Sequence, residues 1–89
     1  MGIIATDVAS FTSDPIVLSD SGGRFEFDLA IRGNIGAGTV AVEVKSSDGN
    51  FYGYPNLTFN ELIYQPIALG VSTIRIVIAG ATSVTVEVN

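Results

Sequence analysis

The sequence predicts an all-β fold without substantial helix, and three observations carry this prediction. Ile, Val and Thr supply 27 of the 89 residues, and their β-branched side chains suit a pleated strand better than a helix. Apolar and polar residues alternate with a period of two, and turn-forming residues recur roughly every 8–12 positions. We therefore expect seven to nine short strands in an antiparallel β-sandwich, either immunoglobulin-like or jelly-roll-like.

Four strands follow directly from the alternation. In Arg24–Arg32 the apolar side chains share one face of the strand, and charged side chains dominate the other. The same pattern predicts strands at 39–45, 73–78 and 82–88. The expected core consists of Phe25, Phe27, Leu29, Ile31, Val40, Val42, Val44, Ile74, Ile76, Val84 and Val86.

Weaker apolar segments complete the sandwich, and residues that favour turns separate them. Gly80-Ala81 is expected to join the last two strands as a tight hairpin. Neither a linker nor a repeat interrupts the chain, and its length leaves no room for a second core, so residues 1–89 are predicted to form a single domain. The weaker strands are expected at 3–11, 16–18, 51–54, 57–59 and 63–69.

The residue types that are missing exclude several kinds of chemistry. The chain has no Cys and no His, which removes thiolate nucleophiles, the commonest general base and the usual transition-metal ligands. Only four basic residues oppose nine acidic ones, so a nucleic-acid partner is not expected. No apolar run is long enough for a membrane span. We predict no enzymatic activity, no cofactor and no metal site.

Four groups of residues have both a structural and a chemical interpretation. Glu26 and Asp28 project from the same strand face, as a glycosidase pair would, but a solvated face explains them better in so small a domain. Gly33, Gly36 and Gly38 resemble a phosphate loop only superficially, because a strand rather than a helix follows them. We interpret these glycines as a flexible strand connection. Calcium ligands could come from Asp14 with Asp20 or from Asp48 with Asn50, where turn formation is the simpler explanation.

The composition predicts that part of the surface is covered by another protein. Charged residues make up 15% of the chain, against about 25% in an ordinary soluble domain. A small monomer has more surface per residue and should be more polar than average. We expect contacts at Ile3 and Ile4, an apolar edge without a protecting Lys, and at the aromatic stretch that contains Tyr52, Tyr54 and Tyr64.

The stretch from Leu69 to Val88 resembles the closing hairpin of small β-sandwich proteins from tailed-phage virions. It is similar in style to capsid decoration proteins and to head-attached fibre or adaptor domains. The acidic charge and the many Ser and Thr residues are compatible with this resemblance. It implies a structural role on a particle surface, with no catalytic residues.

Three functions are therefore considered. The first is a non-enzymatic virion protein that decorates a capsid, with copies of itself, as a homotrimer or another small oligomer, and a larger shell such as a major capsid protein as partners. The second is a carbohydrate- or receptor-binding sandwich, which would need exposed Tyr52 and Tyr54 beside polar side chains. The third is a small hydrolase, which would have to work without His, Cys or a useful Lys.

Overall fold

The computed structural model describes residues 2–89 and confirms an all-β fold. Pairings of only two residues raise the strand number above the predicted seven to nine, because weak apolar segments pair over part of their length. No helix in residues 2–89 is long and apolar enough to span a membrane. The longer strands are Gly2–Val8 (β1), Arg24–Asn34 (β5), Thr39–Lys45 (β6), Tyr64–Leu69 (β9), Thr73–Ala79 (β10) and Ser83–Val88 (β11). The two-residue strands are Phe11–Thr12 (β2), Ile16–Val17 (β3), Asp20–Ser21 (β4), Phe51–Tyr52 (β7) and Thr58–Phe59 (β8), and Pro55–Leu57 forms a 3₁₀ helix.

The strands form two antiparallel sheets. In the first sheet β1 pairs with β11, β11 pairs with β5, and β9 pairs with the other edge of β5. The short strand β4 pairs with the beginning of β5, on the same edge as β11. In the second sheet β2 and β3 pair with β10, β10 with β6, and β6 with β7 and β8. β2–β3 and β7–β8 can each be counted as one interrupted strand, and β4 is a short antiparallel hairpin partner of β5, so the sandwich has eight main strands. The order of these main strands is β1-β11-β5-β9 in the first sheet and β2/β3-β10-β6-β7/β8 in the second. Numbered one to eight along the chain, the orders are 1-8-3-6 and 2-7-4-5, which is the arrangement of a jelly roll.

The last two strands are not a hairpin, contrary to the prediction for Gly80-Ala81. β10 belongs to the second sheet and pairs with β6, whereas β11 belongs to the first sheet and pairs with β5. The connection therefore passes over the end of the core from one sheet to the other. The alternation of apolar residues shows which face of a strand is buried, but it does not identify the neighbouring strand.

The core lies between the two sheets. Of the predicted core residues, nine are buried, and Phe25 and Val44 are half-buried and pack against them. Further buried side chains come from connections and from other strand positions, and two of them, Ile78 and Val88, continue the inner-facing alternation of β10 and β11. These further core residues include Ala5, Leu18, Ile35, Leu57, Ile67, Ile78, Ala81 and Val88.

Glycine allows two connections to pack closely at one end of the sandwich. A Cβ at Gly38 would lie 2.4 Å from the backbone nitrogen of Ala81, so no side chain fits there. The connection from β5 to β6 thus lies directly against the connection from β10 to β11. The predicted glycine-rich connection is present, and close packing rather than flexibility accounts for Gly38.

Candidate contact surface

The outer face of the first sheet carries a cross-strand row of four residues. Leu29 is buried on the inner face, so its neighbour Ala30 points outward. Ala30 pairs with Tyr64 on one side and with Glu87 on the other, and Glu87 pairs with Ile3. The row therefore runs Tyr64, Ala30, Glu87, Ile3 across β9, β5, β11 and β1. We call it the β9–β1 row.

The two ends of the β9–β1 row are exposed and apolar. Tyr64 is 73% exposed and Ile3 is 56% exposed. Three strand spacings separate them, which amounts to about 14 Å. Ala30 between them is buried. These positions include two of the predicted contact residues, and their places at opposite edges of one face could not be read from the sequence.

An ion pair neutralises the centre of this face. The Arg32 guanidinium donates a hydrogen bond to the Glu87 carboxylate across β5 and β11. This bond, with a smaller contribution from the Asn89 side chain, holds the pKa of Glu87 below its ordinary value. The face therefore presents little net charge between its two apolar ends.

Ile4 differs from its neighbour in the structure. Its side chain is half-buried and packs against the core, so it offers little surface to a partner. A register shift in the pairing of β1 with β11 lies between Ile3 and Ala5. Of the predicted Ile3-Ile4 pair, only Ile3 is well exposed.

The aromatic stretch divides between the two sheets. Tyr52 and Tyr54 are 42% and 47% exposed at the β7 edge of the second sheet, whereas Tyr64 lies on the first. The Tyr52 hydroxyl donates a 2.6 Å hydrogen bond to Asp48. That bond, and the backbone N–H of Asn50, hold the pKa of Asp48 below its ordinary value. The three tyrosines therefore do not form one continuous strand face.

The two phenylalanines of this stretch have structural roles. Phe59 is half-buried and packs against the core. Phe51 lies under the Arg75 guanidinium, whose centre is 4.7 Å from the ring centroid. Arg75 also donates a 2.6 Å hydrogen bond to Glu43. This cluster covers Phe51 on the outer face of the second sheet and leaves it unsuited to a partner contact.

Every sheet edge is interrupted, which limits strand-to-strand association. In β1, two register shifts and a positive φ of 50° at Asp7 break the edge that lacks a protecting Lys. On the opposite edge of the same sheet, β9 contains Pro66, which cannot donate a hydrogen bond. The second sheet has only two-residue strands at both edges. Contacts with another protein are therefore expected through side chains rather than through added strands.

Three exposed large apolar residues were not predicted from the sequence, and the least exposed of them is Phe11 on β2, at 37%. Val17 is 70% exposed on the two-residue strand β3, and Leu62 is half exposed in the connection to β9. Such short segments contain too few residues for alternation to distinguish the inner face from the outer one.

The carboxylates do not gather into a metal site. Glu26 and Asp28 lie on the outer side of β5, as predicted, and neither forms a salt bridge within residues 2–89. Across the described range 2–89, no group of three or more His, Cys, Asp or Glu residues could hold a metal ion.

The comparisons with known proteins do not identify a relative. No family model, no curated protein and no solved structure matches this chain. What the chain does must therefore be inferred from its own residues and topology.

Proposed function

We propose that this protein is a non-enzymatic structural protein of a virus particle, a capsid decoration protein that sits on the particle surface. It forms a small homo-oligomer, such as a trimer, on a larger shell built by a major capsid protein. The observation that carries this proposal is the β9–β1 row, in which exposed Tyr64 and Ile3 lie at the two ends of one face of a small jelly roll. Jelly rolls occur in capsid proteins and also in lectins and cupins, so the fold supports the proposal only by analogy.

The dimensions of the domain support a self-sufficient building block. Its accessible surface of 4811 Å² is close to the roughly 5,000 Å² expected for a compact monomer of this mass. The sandwich therefore buries its own core without help from a partner. The apolar side chains that stay outside, including Ile3 and Tyr64, are surplus to folding and available for association.

The ion pair at the centre of the outer face of the first sheet is compatible with self-association there. The chain carries a net charge of −5, so most of its surface repels a second copy. On this face the Arg32–Glu87 pair neutralises its own charges between Ile3 and Tyr64. Within the β9–β1 row itself, the one charged side chain is therefore paired. Burial of about 800 Å² per subunit would give a contact of standard size.

The decisive experiment uses particles of the virus whose genome encodes the chain. We expect mass spectrometry to find the protein in purified particles, and particles made from a gene deletion to bind the added protein at a fixed number of copies. Particles that lack the protein and do not bind it when it is added would contradict the proposal.

One observation favours a second candidate, a receptor- or carbohydrate-binding module. Tyr52 and Tyr54 are exposed, and the Tyr52 hydroxyl contacts Asp48, so aromatic and polar groups meet at one edge. Replacement of both tyrosines by Ala would then abolish binding to host cells while incorporation into particles stays unchanged. For Ile3→Lys, the decoration role predicts the opposite result, in which incorporation into particles is weakened while binding to host cells stays unchanged.

A further inference from the structure

An open cleft of about 390 Å³ lies at the end of the sandwich where β5 and β10 begin and β6 ends. This volume falls within the roughly 300–1,000 Å³ of small-molecule sites. Both sheets contribute to it, since Phe25 belongs to the first sheet and Lys45 to the second. The residues that line the cleft include Phe25, Lys45, Ser46, Ser47, Ser72 and Thr73.

The cleft combines a positive charge with hydroxyl groups. Lys45 is the only lysine of the chain, and it forms no salt bridge within residues 2–89. The nearby Asp48 carboxylate accepts hydrogen bonds from Asn50 and Tyr52, and it is not paired with Lys45. Four lining residues, at positions 46, 47, 72 and 73, carry hydroxyls that donate and accept hydrogen bonds.

Phe25 adds an apolar wall to these polar groups. It is half-buried and packs against the core, so its position is held by the sandwich. An aromatic side chain of this kind packs against the C–H face of a sugar ring. Gly70 in the same lining leaves space, because a Cβ there would meet no atom within 4 Å.

We propose that this cleft binds a small carboxylate-bearing sugar, such as a uronic acid. The carboxylate contacts the Lys45 ammonium, the sugar hydroxyls exchange hydrogen bonds with the Ser and Thr hydroxyls, and the ring lies against Phe25. Such binding needs only the folded monomer. A failure of the binding test would therefore leave the decoration role untouched, and a failure of the decoration role would leave the binding proposal untouched.

An NMR titration of the wild-type protein tests the ligand class, with D-glucuronate, D-glucose and acetate as probes. We expect glucuronate to shift the amide signals of residues 45–47 and 70–73 to saturation. Glucose and acetate should each bind about tenfold more weakly, since each lacks part of the recognition. The absence of saturable shifts, or equal binding of glucose and glucuronate, would overturn the proposal.

Two variants test the place of binding. Lys45→Met should weaken glucuronate binding about tenfold, because it removes the charge but keeps most of the side-chain length. Gly70→Leu should block the cleft without a clash in the fold, whereas Ala79→Leu, an exposed position at the other end of β10, should leave binding unchanged. Wild-type affinity in both Lys45→Met and Gly70→Leu would exclude this cleft as the site.

Discussion

At the residue scale, Ser13 shows how one side chain replaces a missing piece of strand. It lies between β2 and β3, where the chain leaves the edge of the second sheet. Its backbone N–H donates to the carbonyl of Ile76 at 2.8 Å, and its Oγ accepts the N–H of Ile76 at 2.9 Å. The hydroxyl also donates to the carbonyl of Asp14. A buried polar residue thus completes the hydrogen bonding of a central strand.

Replacement of Ser13 by Ala should lower the free energy of unfolding by about 1–3 kcal/mol. The variant leaves the N–H of Ile76 buried without an acceptor, and that desolvation is what costs stability. Urea denaturation of the variant and of Ser10→Ala, an exposed control, provides the measurement. Equal midpoints for both variants would contradict this role of Ser13.

Gly38→Ala should cost about 2–3 kcal/mol, since the added methyl group would overlap the backbone at Ala81 and force two connections apart. The matched control is Gly70→Ala, where the added Cβ meets open space and the change should stay within about 0.5 kcal/mol. Thermal unfolding of the pair gives the comparison. A Gly38→Ala variant as stable as Gly70→Ala would show that the two connections do not pack closely in solution.

At the scale of elements, alternation predicted the long strands and their buried faces but not their partners. Val40, Val42, Ile74 and Ile76 are fully buried as expected, because period-two patterning reports burial directly. The predicted hairpin after β10 failed because the same pattern fits a strand in either sheet. Partner choice depends on long-range packing, and neither a local motif nor a turn at Gly80 encodes it.

The ion pair that joins β5 and β11 should make stability depend on pH. Arg32 lowers the pKa of Glu87 in the folded state below its ordinary value of 4.5. The carboxylate therefore stabilises the fold above that ordinary value, and the contribution is lost as the pH falls through the lower, folded-state pKa. Glu87→Gln should lose less stability than the wild type upon acidification.

Denaturation midpoints between about pH 6 and pH 3 check this prediction. The variant should keep the acid dependence that Asp48 contributes in the same direction, since its pKa is also lowered. Parallel stability profiles for the variant and the wild type would contradict a stabilising Arg32–Glu87 pair.

At the scale of the whole molecule, the chain is compact and still leaves several large apolar side chains exposed. The radius of gyration of 12.3 Å matches the roughly 12 Å expected for a compact domain of this length. The low charge content predicted a covered surface. Only the register across β9, β5, β11 and β1 showed that Tyr64 and Ile3 flank a neutralised face. Composition reports how much surface is apolar, while its location depends on pairings between distant segments.

The central claim is that the outer face of the first sheet holds copies of this protein together, and light scattering of the purified protein tests it most directly. We predict a small oligomer for the wild type and about tenfold weaker association for Ile3→Lys, which places a charge in an apolar contact. Val17→Lys, at a strand position on the second sheet that is even more exposed than Ile3, should associate like the wild type. A wild-type monomer at about 100 μM, or equal weakening by Ile3→Lys and Val17→Lys, would contradict the account.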